Sequence, residues 1–99
     1  MFRHVVMLSF KDGTDAARNA EGAKKVKAVL EGLKDIIPEI VEIKVHINEL
    51  SYSTKDLMID VTFADEAGFL AYMNHEDHKA VFPLVTEYLT DRAVFDYII

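Results

Sequence analysis

The sequence predicts an α+β fold with the element order β-α-β-β-α-β. Alternating apolar residues mark one strand at each end of the chain and two more in its middle. Apolar residues spaced three and four apart predict a long helix after the first strand and a second helical region before the last. This order is the ferredoxin-like pattern, a four-stranded antiparallel sheet with helices on one face. With 99 residues, we expect a single domain over residues 1–99.

The first strand is expected at Phe2–Phe10, with apolar residues on both faces, as in a strand that is covered on both sides. We expect the face beneath the helices to carry Phe2, His4, Val6, Leu8 and Phe10.

A long helix is predicted from Asp15 to Ile36, with Thr14 or Asp15 as its N-cap. Pro38 ends it, because the residue before a proline is disfavoured in helical geometry. Gly22 and Gly32 should each weaken this helix by about 1 kcal/mol relative to alanine. The stripe that should face the sheet comprises Ala16, Ala20, Ala23, Val26, Val29, Leu30, Leu33 and Ile37.

Two strands should follow, at Glu39–Asn48 and Asp56–Phe63, with clean alternation in the first. Asp65 or Glu66 should open the next helix, with Phe69, Leu70 and Met73 directed inward. A further helical piece should restart near Pro83, which a first turn tolerates, and carry Val81, Leu84, Val85 and Tyr88 inward. The last strand is expected at Arg92–Ile99.

The composition argues against several function classes. Seventeen acidic and eleven basic residues give a formal charge of −6, which would repel a polyanion, so we expect no nucleic-acid partner. The apolar start is too short for a signal peptide, and no stretch approaches the ~20 apolar residues of a membrane span. There is no cysteine for a disulfide or thiolate site. We therefore expect a cytoplasmic protein.

Two helices can cover only one face of a four-stranded sheet. The other face should include Val5, Met7, Met58, Val94 and Ile98, which is too apolar to leave in water. We therefore predict a homodimer formed by packing two such faces together, sheet to sheet.

Five segments in order carry a family resemblance: RHVVMLSFK at 3–11, IIP at 36–38, DVTF at 60–63, AY followed by HxxH at 71–78, and DRxVFDY at 91–97. Together they span nearly the whole chain and resemble the stress-responsive α/β-barrel (Dabb) family. The resemblance implies a dimeric α/β barrel, the fold that the patterning predicts independently.

The resemblance also implies a candidate site. In the olivetolic acid cyclase class of plant polyketide cyclases, a catalytic histidine and tyrosine fall on His78 and Tyr72, and a cavity histidine falls on His4. Those enzymes close a linear polyketide by an aldol condensation without a cofactor. Two positions depart from the pattern, since Leu57 stands where a further cavity histidine is expected and Glu76 where a proline is frequent.

The residue types fit acid–base chemistry. Imidazole titrates near neutrality, and a phenol can donate a hydrogen bond to a developing enolate or alkoxide. We therefore expect a pocket between sheet and helices lined by His4, Tyr72 and His78. His78 would be the base, Tyr72 the proton or hydrogen-bond donor, and His4 an orienting or shuttling group.

A metal site is the other chemical reading of this segment. His75 and His78 are three apart, with Glu76 and Asp77 between them, but the pattern is not H-E-x-x-H and supplies no third ligand. We therefore expect no metal and no cofactor. His75 fits better as a helix-end residue that complements the helix dipole.

The remaining polar residues have structural interpretations. Asp60 and Asp96 are assigned to the face opposite the helices, where Arg3 or Arg92 could neutralise them as ion pairs. His46 alternates with solvent-facing residues and should be exposed.

Two functions remain open from the sequence. One is cofactor-independent acid–base catalysis on a small carbonyl compound, like that of a polyketide cyclase. The alternative is a non-catalytic, stress-associated homodimer with a structural or ligand-binding role. An open cavity above His4 would favour the first, and a filled one the second.

Overall fold

The computed structural model describes residues 1–99, and its element order confirms the predicted pattern. The strands are β1 (Phe2–Phe10), β2 (Ile40–Ile47), β3 (Leu57–Phe63) and β4 (Leu89–Ile98). The helices are α1 (Ala16–Gly32), α2 (Glu66–Asn74), α3 (Glu76–Lys79) and α4 (Phe82–Tyr88), and a 3₁₀ turn spans Leu33–Asp35. The second helical region therefore consists of three short helices, and β4 begins three residues earlier than predicted.

β1 lies inside the sheet, whose strand order is β2-β3-β1-β4 with all neighbours antiparallel. β2 and β4 are the edge strands. The chain ends meet, since the Met1 ammonium donates to the Ile99 carbonyl at 2.6 Å. Because the first and last strands pair over almost their full length, residues near both ends of the sequence contribute to one region.

α1 begins at Asp15, whose carboxylate accepts from the Arg18 amide at 3.1 Å, so one of the two predicted caps is used. The helix ends at Gly32 and continues as the 3₁₀ turn, which is slightly short of the predicted end. The Glu31 carboxylate fastens the last turn to β2 by accepting from the Val45 amide at 2.9 Å.

The packing of α1 follows the predicted stripe only in part. Ala23, Val26 and Leu30 are buried against the sheet, whereas Val29 is exposed. Gly22 is also buried, because it lies against the ring of Tyr88 at the end of α4. Leu70 of α2, which was expected to point inward, is likewise exposed.

The two faces of the sheet differ in character. The helix face carries His4, Val6, Leu8, Ile43, Val45, Leu57, Ile59, Val61 and Phe63. The opposite face, here called the open face, carries Arg3, Val5, Met7, Glu42, Lys44, His46, Met58, Asp60, Thr62, Ala93, Phe95 and Tyr97. The core lies between the helix face and the helices, as expected for this layer architecture.

The placement of three β4 residues on the open face was wrong. Val94 pairs with Val6 and Asp96 with His4, while Ile98 pairs with Phe2, so all three belong to the helix face. Alternation tells which residues share a face but not which face meets the helices. β4 is an edge strand that the helices cover incompletely, so Val94 and Ile98 remain exposed although they lie on that side.

The predicted ion pair of Asp60 with Arg3 is present on the open face, with Arg3 Nη2 2.8 Å from Asp60 Oδ2. His46 is exposed there, as expected. None of the helices has the length and apolar composition needed to cross a membrane.

Candidate functional site

A cavity of about 470 Å³ lies between the helix face and the segment α2–α4. Its volume is within the range of roughly 300–1,000 Å³ that small-molecule sites occupy. The wall is mostly apolar, and consists of His4, Val6, Leu8, Leu30, Ile59, Tyr72, Met73, His78, Val81, Phe82, Val85, Thr86, Leu89 and Arg92. The space above His4 is therefore open rather than filled.

All three residues that the sequence singled out line this cavity. His4 reaches it from β1, Tyr72 from α2 and His78 from the single turn of α3. Their exposed fractions are 3%, 2% and 6%, respectively. Tyr72 lies between the two imidazoles, with its ring centroid 6.4 Å from that of His4 and 4.0 Å from that of His78. The two histidines therefore line the same cavity, with the tyrosine between them.

His4 is held by a carboxylate across the β1–β4 ladder. Its Nδ1 lies 2.5 Å from Oδ1 of Asp96, which is its register partner. An ionised carboxylate only accepts, so this contact places a proton on Nδ1 and leaves Nε2 as the nitrogen for a ligand. Sequence reasoning missed Asp96 as a site residue because it put this residue on the wrong face; the cross-strand register was the missing information.

His78 sits in apolar surroundings and has no carboxylate partner. Burial, with a smaller effect from the positive charge of Arg92, lowers the pKa of His78 to about 4. The imidazole is therefore neutral at pH 7. Its Nδ1 is sealed from solvent and makes no hydrogen bond of good geometry, although the Met73 backbone lies close enough to favour the protonated ring. Nε2 is consequently the nitrogen that can reach a ligand.

Tyr72 is also neutral, because burial raises the pKa of its phenol above the ordinary value. A neutral phenol is a hydrogen-bond donor. Its ring is fixed by aromatic neighbours, with Phe63 at 5.1 Å between centroids in addition to His78. The cavity therefore contains one fixed donor between two imidazoles.

His75 lies at a helix boundary, as expected, but its ring acts on the following helix. The residue closes α2 and caps α3, where its Nδ1 accepts from the Asp77 amide at 3.1 Å. It does not line the cavity. No group of three His, Asp or Glu side chains in the chain is arranged to hold a metal ion.

Arg92 is the second residue of the site that sequence reasoning missed. It was considered as a partner for Asp60 or Asp96, but these acids bind Arg3 and His4. Arg92 instead lines the cavity from β4. Exposed lining residues mark the opening, and these are Phe82, Thr86 and Arg92.

Comparison with known proteins identifies the family. The model of the stress responsive A/B barrel domain matches residues 2–99. The chain belongs to this family. The resemblance of the five sequence segments is thereby confirmed, and with it the ferredoxin-like fold. No curated protein sequence matches this family member significantly.

Solved structures with the same fold include three that differ in what is known of them. A dimeric ferredoxin-like protein of unknown function from Bacteroides fragilis gives a TM-score of 0.92 at 22% identity, covering 99% of this chain and 95% of that one. A Dabb family protein from Mesorhizobium loti gives a TM-score of 0.75 at 19% identity, covering 99% of this chain and 95% of that one. The hydroxynitrile lyase of Passiflora edulis gives a TM-score of 0.80 at 19% identity, covering 99% of this chain and 92% of that one. At these identities the likeness shows a shared fold.

Proposed function

We propose that the protein binds a small carbonyl compound in the cavity and catalyses cofactor-independent acid–base chemistry on it, as a polyketide cyclase does. The observation that carries this proposal is the contact of a neutral, buried His78 with Tyr72 inside a largely apolar cavity. A base, a proton donor and a dry space are what enolate chemistry requires.

The proposed reaction is an intramolecular aldol closure. His78 Nε2 removes a proton from the carbon next to a carbonyl, and the electron pair of that C–H bond forms an enolate. Tyr72 donates a hydrogen bond to the enolate oxygen and so stabilises the negative charge that develops there. The enolate carbon then bonds to a second carbonyl carbon of the same molecule, and the resulting alkoxide takes the proton back from His78.

His4 and Asp96 would orient the carbonyl that is attacked. With its Nδ1 occupied by Asp96, the His4 ring is fixed and offers Nε2 to the ligand or to a water molecule.

Proton exchange provides a test that needs no knowledge of the natural substrate. Acetophenone in D₂O is monitored by NMR, since a base that forms the enolate replaces the methyl hydrogens by deuterium. The wild type should accelerate exchange, His78→Ala should reduce it to background, and Tyr72→Phe should lower it by about 10²-fold. The matched control is His75→Asn, which removes a histidine outside the cavity, keeps a side chain that can cap α3, and should keep the wild-type rate.

The opposite results would separate the two candidate functions. Wild-type exchange at the background rate, together with a thermal shift on adding acetophenone, would leave the non-catalytic ligand-binding role. An undiminished rate in His78→Ala would exclude His78 as the base. Absence of any thermal shift across a panel of carbonyl compounds would remove the ligand-binding proposal.

The open face supports the proposal of a homodimer packed sheet to sheet. Phe95 is 65% exposed on this face, and the less exposed Val5, Met7 and Tyr97 surround it with apolar surface. An exposed patch of this kind is typical of an interaction site. Three of the structural neighbours are dimeric ferredoxin-like proteins. We also propose a cytoplasmic location, from the sequence.

Sedimentation equilibrium tests the dimer and its face. We expect a dimer at micromolar concentration for the wild type and a monomer for Phe95→Glu, which places a charge in the proposed interface. Ile98→Glu puts the same charge on the opposite side of the same strand, at a residue that is 78% exposed, and should remain dimeric. A monomeric wild type would refute the dimer, and equal dissociation of both variants would refute the choice of face.

A further inference from the structure

β4 contains a β-bulge at the edge of the cavity. Met7 pairs with Ala93 and Ser9 with Thr90, so one residue of β1, Leu8, stands opposite two residues of β4. Asp91 occupies the extra position with φ of 58° and is the one non-glycine residue with positive φ. Such backbone is costly for a residue with a Cβ, though Asp tolerates it better than most.

A lysine holds this bulge in place. Lys55, in the loop before β3, donates from Nζ to the Asp91 carbonyl at 2.8 Å and to Asp91 Oδ2 at 3.1 Å. The pair ties the edge strand to a loop on the far side of β1. Strained backbone that surrounding contacts hold in place often lies beside functional sites, where a bulge re-aims a side chain.

The effect of the bulge is to direct two β4 side chains into the cavity. Leu89 and Arg92 are three positions apart, so in a regular strand they would point to opposite faces. Both line the cavity. The extra residue at Asp91 is what allows an apolar side chain and a cation on one strand to reach the same space.

Arg92 has no acidic partner within the chain. The two acids of β4 are each engaged by another cation or imidazole, Asp91 by Lys55 and Asp96 by His4. Its guanidinium is close enough for its charge to act on both Tyr72 and His78. A planar donor fork at the opening of an apolar cavity is suited to a carboxylate or a phosphate.

We propose that Arg92, aimed by the Asp91 bulge, binds an oxyanion group of the ligand at the opening of the cavity, so that the substrate class is an anionic carbonyl compound. This inference rests on the proposed function and narrows it. The anion would bind at Arg92, the apolar body would lie against Leu30, Val81 and Val85, and the reacting carbonyl would face Tyr72.

Matched aromatic probes of one shape test the charge requirement. The probes are 2-naphthoate, 2-naphthamide and 2-naphthyl phosphate, and the dissociation constants are measured by titration calorimetry. The wild type should bind an anionic probe at least about tenfold more tightly than the neutral amide, as expected for a charge-assisted contact. A preference for naphthoate would identify a carboxylate as the group, and a preference for the phosphate probe would identify a phosphate ester.

Substitutions then assign the preference to Arg92. Arg92→Met should abolish it and leave naphthamide binding unchanged within about twofold, while Arg92→Lys should keep part of it. Lys24→Met removes an equal charge from the exposed side of α1 and should change neither value. Equal affinity of the wild type for charged and neutral probes would overturn the Arg92 inference alone. Failure of the wild type to bind any probe would overturn the cavity as a binding site as well.

The role of the bulge has its own test. Asp91→Gly suits positive φ and should keep the anion preference, because the Asp91 backbone carbonyl still accepts from Lys55. Asp91→Val disfavours that backbone and should reduce the anion preference with little effect on naphthamide. Equal preferences in the two variants would show that the bulge does not position Arg92.

Discussion

Gly22 provides the sharpest test of how the helices pack. A Cβ built at this position would lie 2.2 Å from Cδ1 of Tyr88, with two more ring atoms within 2.5 Å. No such contact exists at Gly32, ten residues later in the same helix, where a Cβ would meet nothing within 4 Å. From the sequence, both glycines should weaken α1 equally. From the structure, we expect alanine to destabilise the protein at Gly22 and to stabilise it at Gly32.

The cost of Gly22→Ala follows from what would have to move. Ordinary carbon contacts begin near 3.4 Å, so the Tyr88 ring would have to shift by more than 1 Å. Tyr88 is buried, its carbonyl accepts from the Lys11 amide, and its ring lies 4.6 Å from the Arg18 guanidinium. Overpacking costs about 1–3 kcal/mol, and displacing a buried aromatic costs more. The higher helix propensity of alanine offsets about 1 kcal/mol of this cost, so we expect a net destabilisation of about 2 kcal/mol.

Thermal and urea denaturation of the two alanine variants measure this effect at one protein concentration. A loss of about 2 kcal/mol should lower Tm by roughly 10 °C in a domain of this size. Gly32→Ala should raise Tm by a few degrees, because its φ of −66° suits alanine. A Gly22→Ala protein as stable as Gly32→Ala would refute the packing argument. In a double-mutant cycle, Tyr88→Ala should remove most of the penalty.

Two further predictions concern titrating groups and are checked by urea denaturation across pH. The pKa of His78 is lowered from 6.5 to about 4, so between these values the unfolded chain binds a proton that the folded protein excludes. Stability should fall by up to about 3 kcal/mol as pH falls from 6.5 to 4, a slope that His78→Phe should flatten and His75→Phe should keep. The pKa of Glu31 is lowered, chiefly by the Val45 amide, so its stabilisation is present at neutral pH and lost in acid. Glu31→Gln should therefore lower Tm at pH 7 and have much less effect near pH 3.

The sequence was sufficient for the fold because each element carries a clear pattern. Strict alternation in β1 put His4 on one face together with Val6 and Leu8, and the structure buries all three beneath the helices. Pro83 marked the start of a new helix, which begins at Phe82. These are local signals, whereas the grouping of His4, Tyr72 and His78 into one site came from the family resemblance.

The missed site residues depend on register, which no local pattern reports. Asp96 meets His4 only because β4 pairs with β1 at an offset that the sequence does not specify. Arg92 shares the cavity with Leu89 because of a bulge at Asp91, where an aspartate adopts positive φ. Had β4 been regular, the face assignment of its first residues would have been different. Strand register and the bulge in β4 are therefore the features that could not be predicted from the sequence.

The environments of the two imidazoles differ in the way that divided acid–base roles require. His4 has a carboxylate on Nδ1, whereas His78 has apolar neighbours and no carboxylate partner, and burial keeps its ring neutral. The neutral His78 can accept a proton, while Asp96 holds the His4 ring in one orientation. Removing the negative charge beside His4 tests this division of roles. Asp96→Asn keeps the shape of the contact but removes the charge, so it should slow acetophenone exchange much less than His78→Ala does. A loss as large as that of His78→Ala would instead make the His4–Asp96 pair the base.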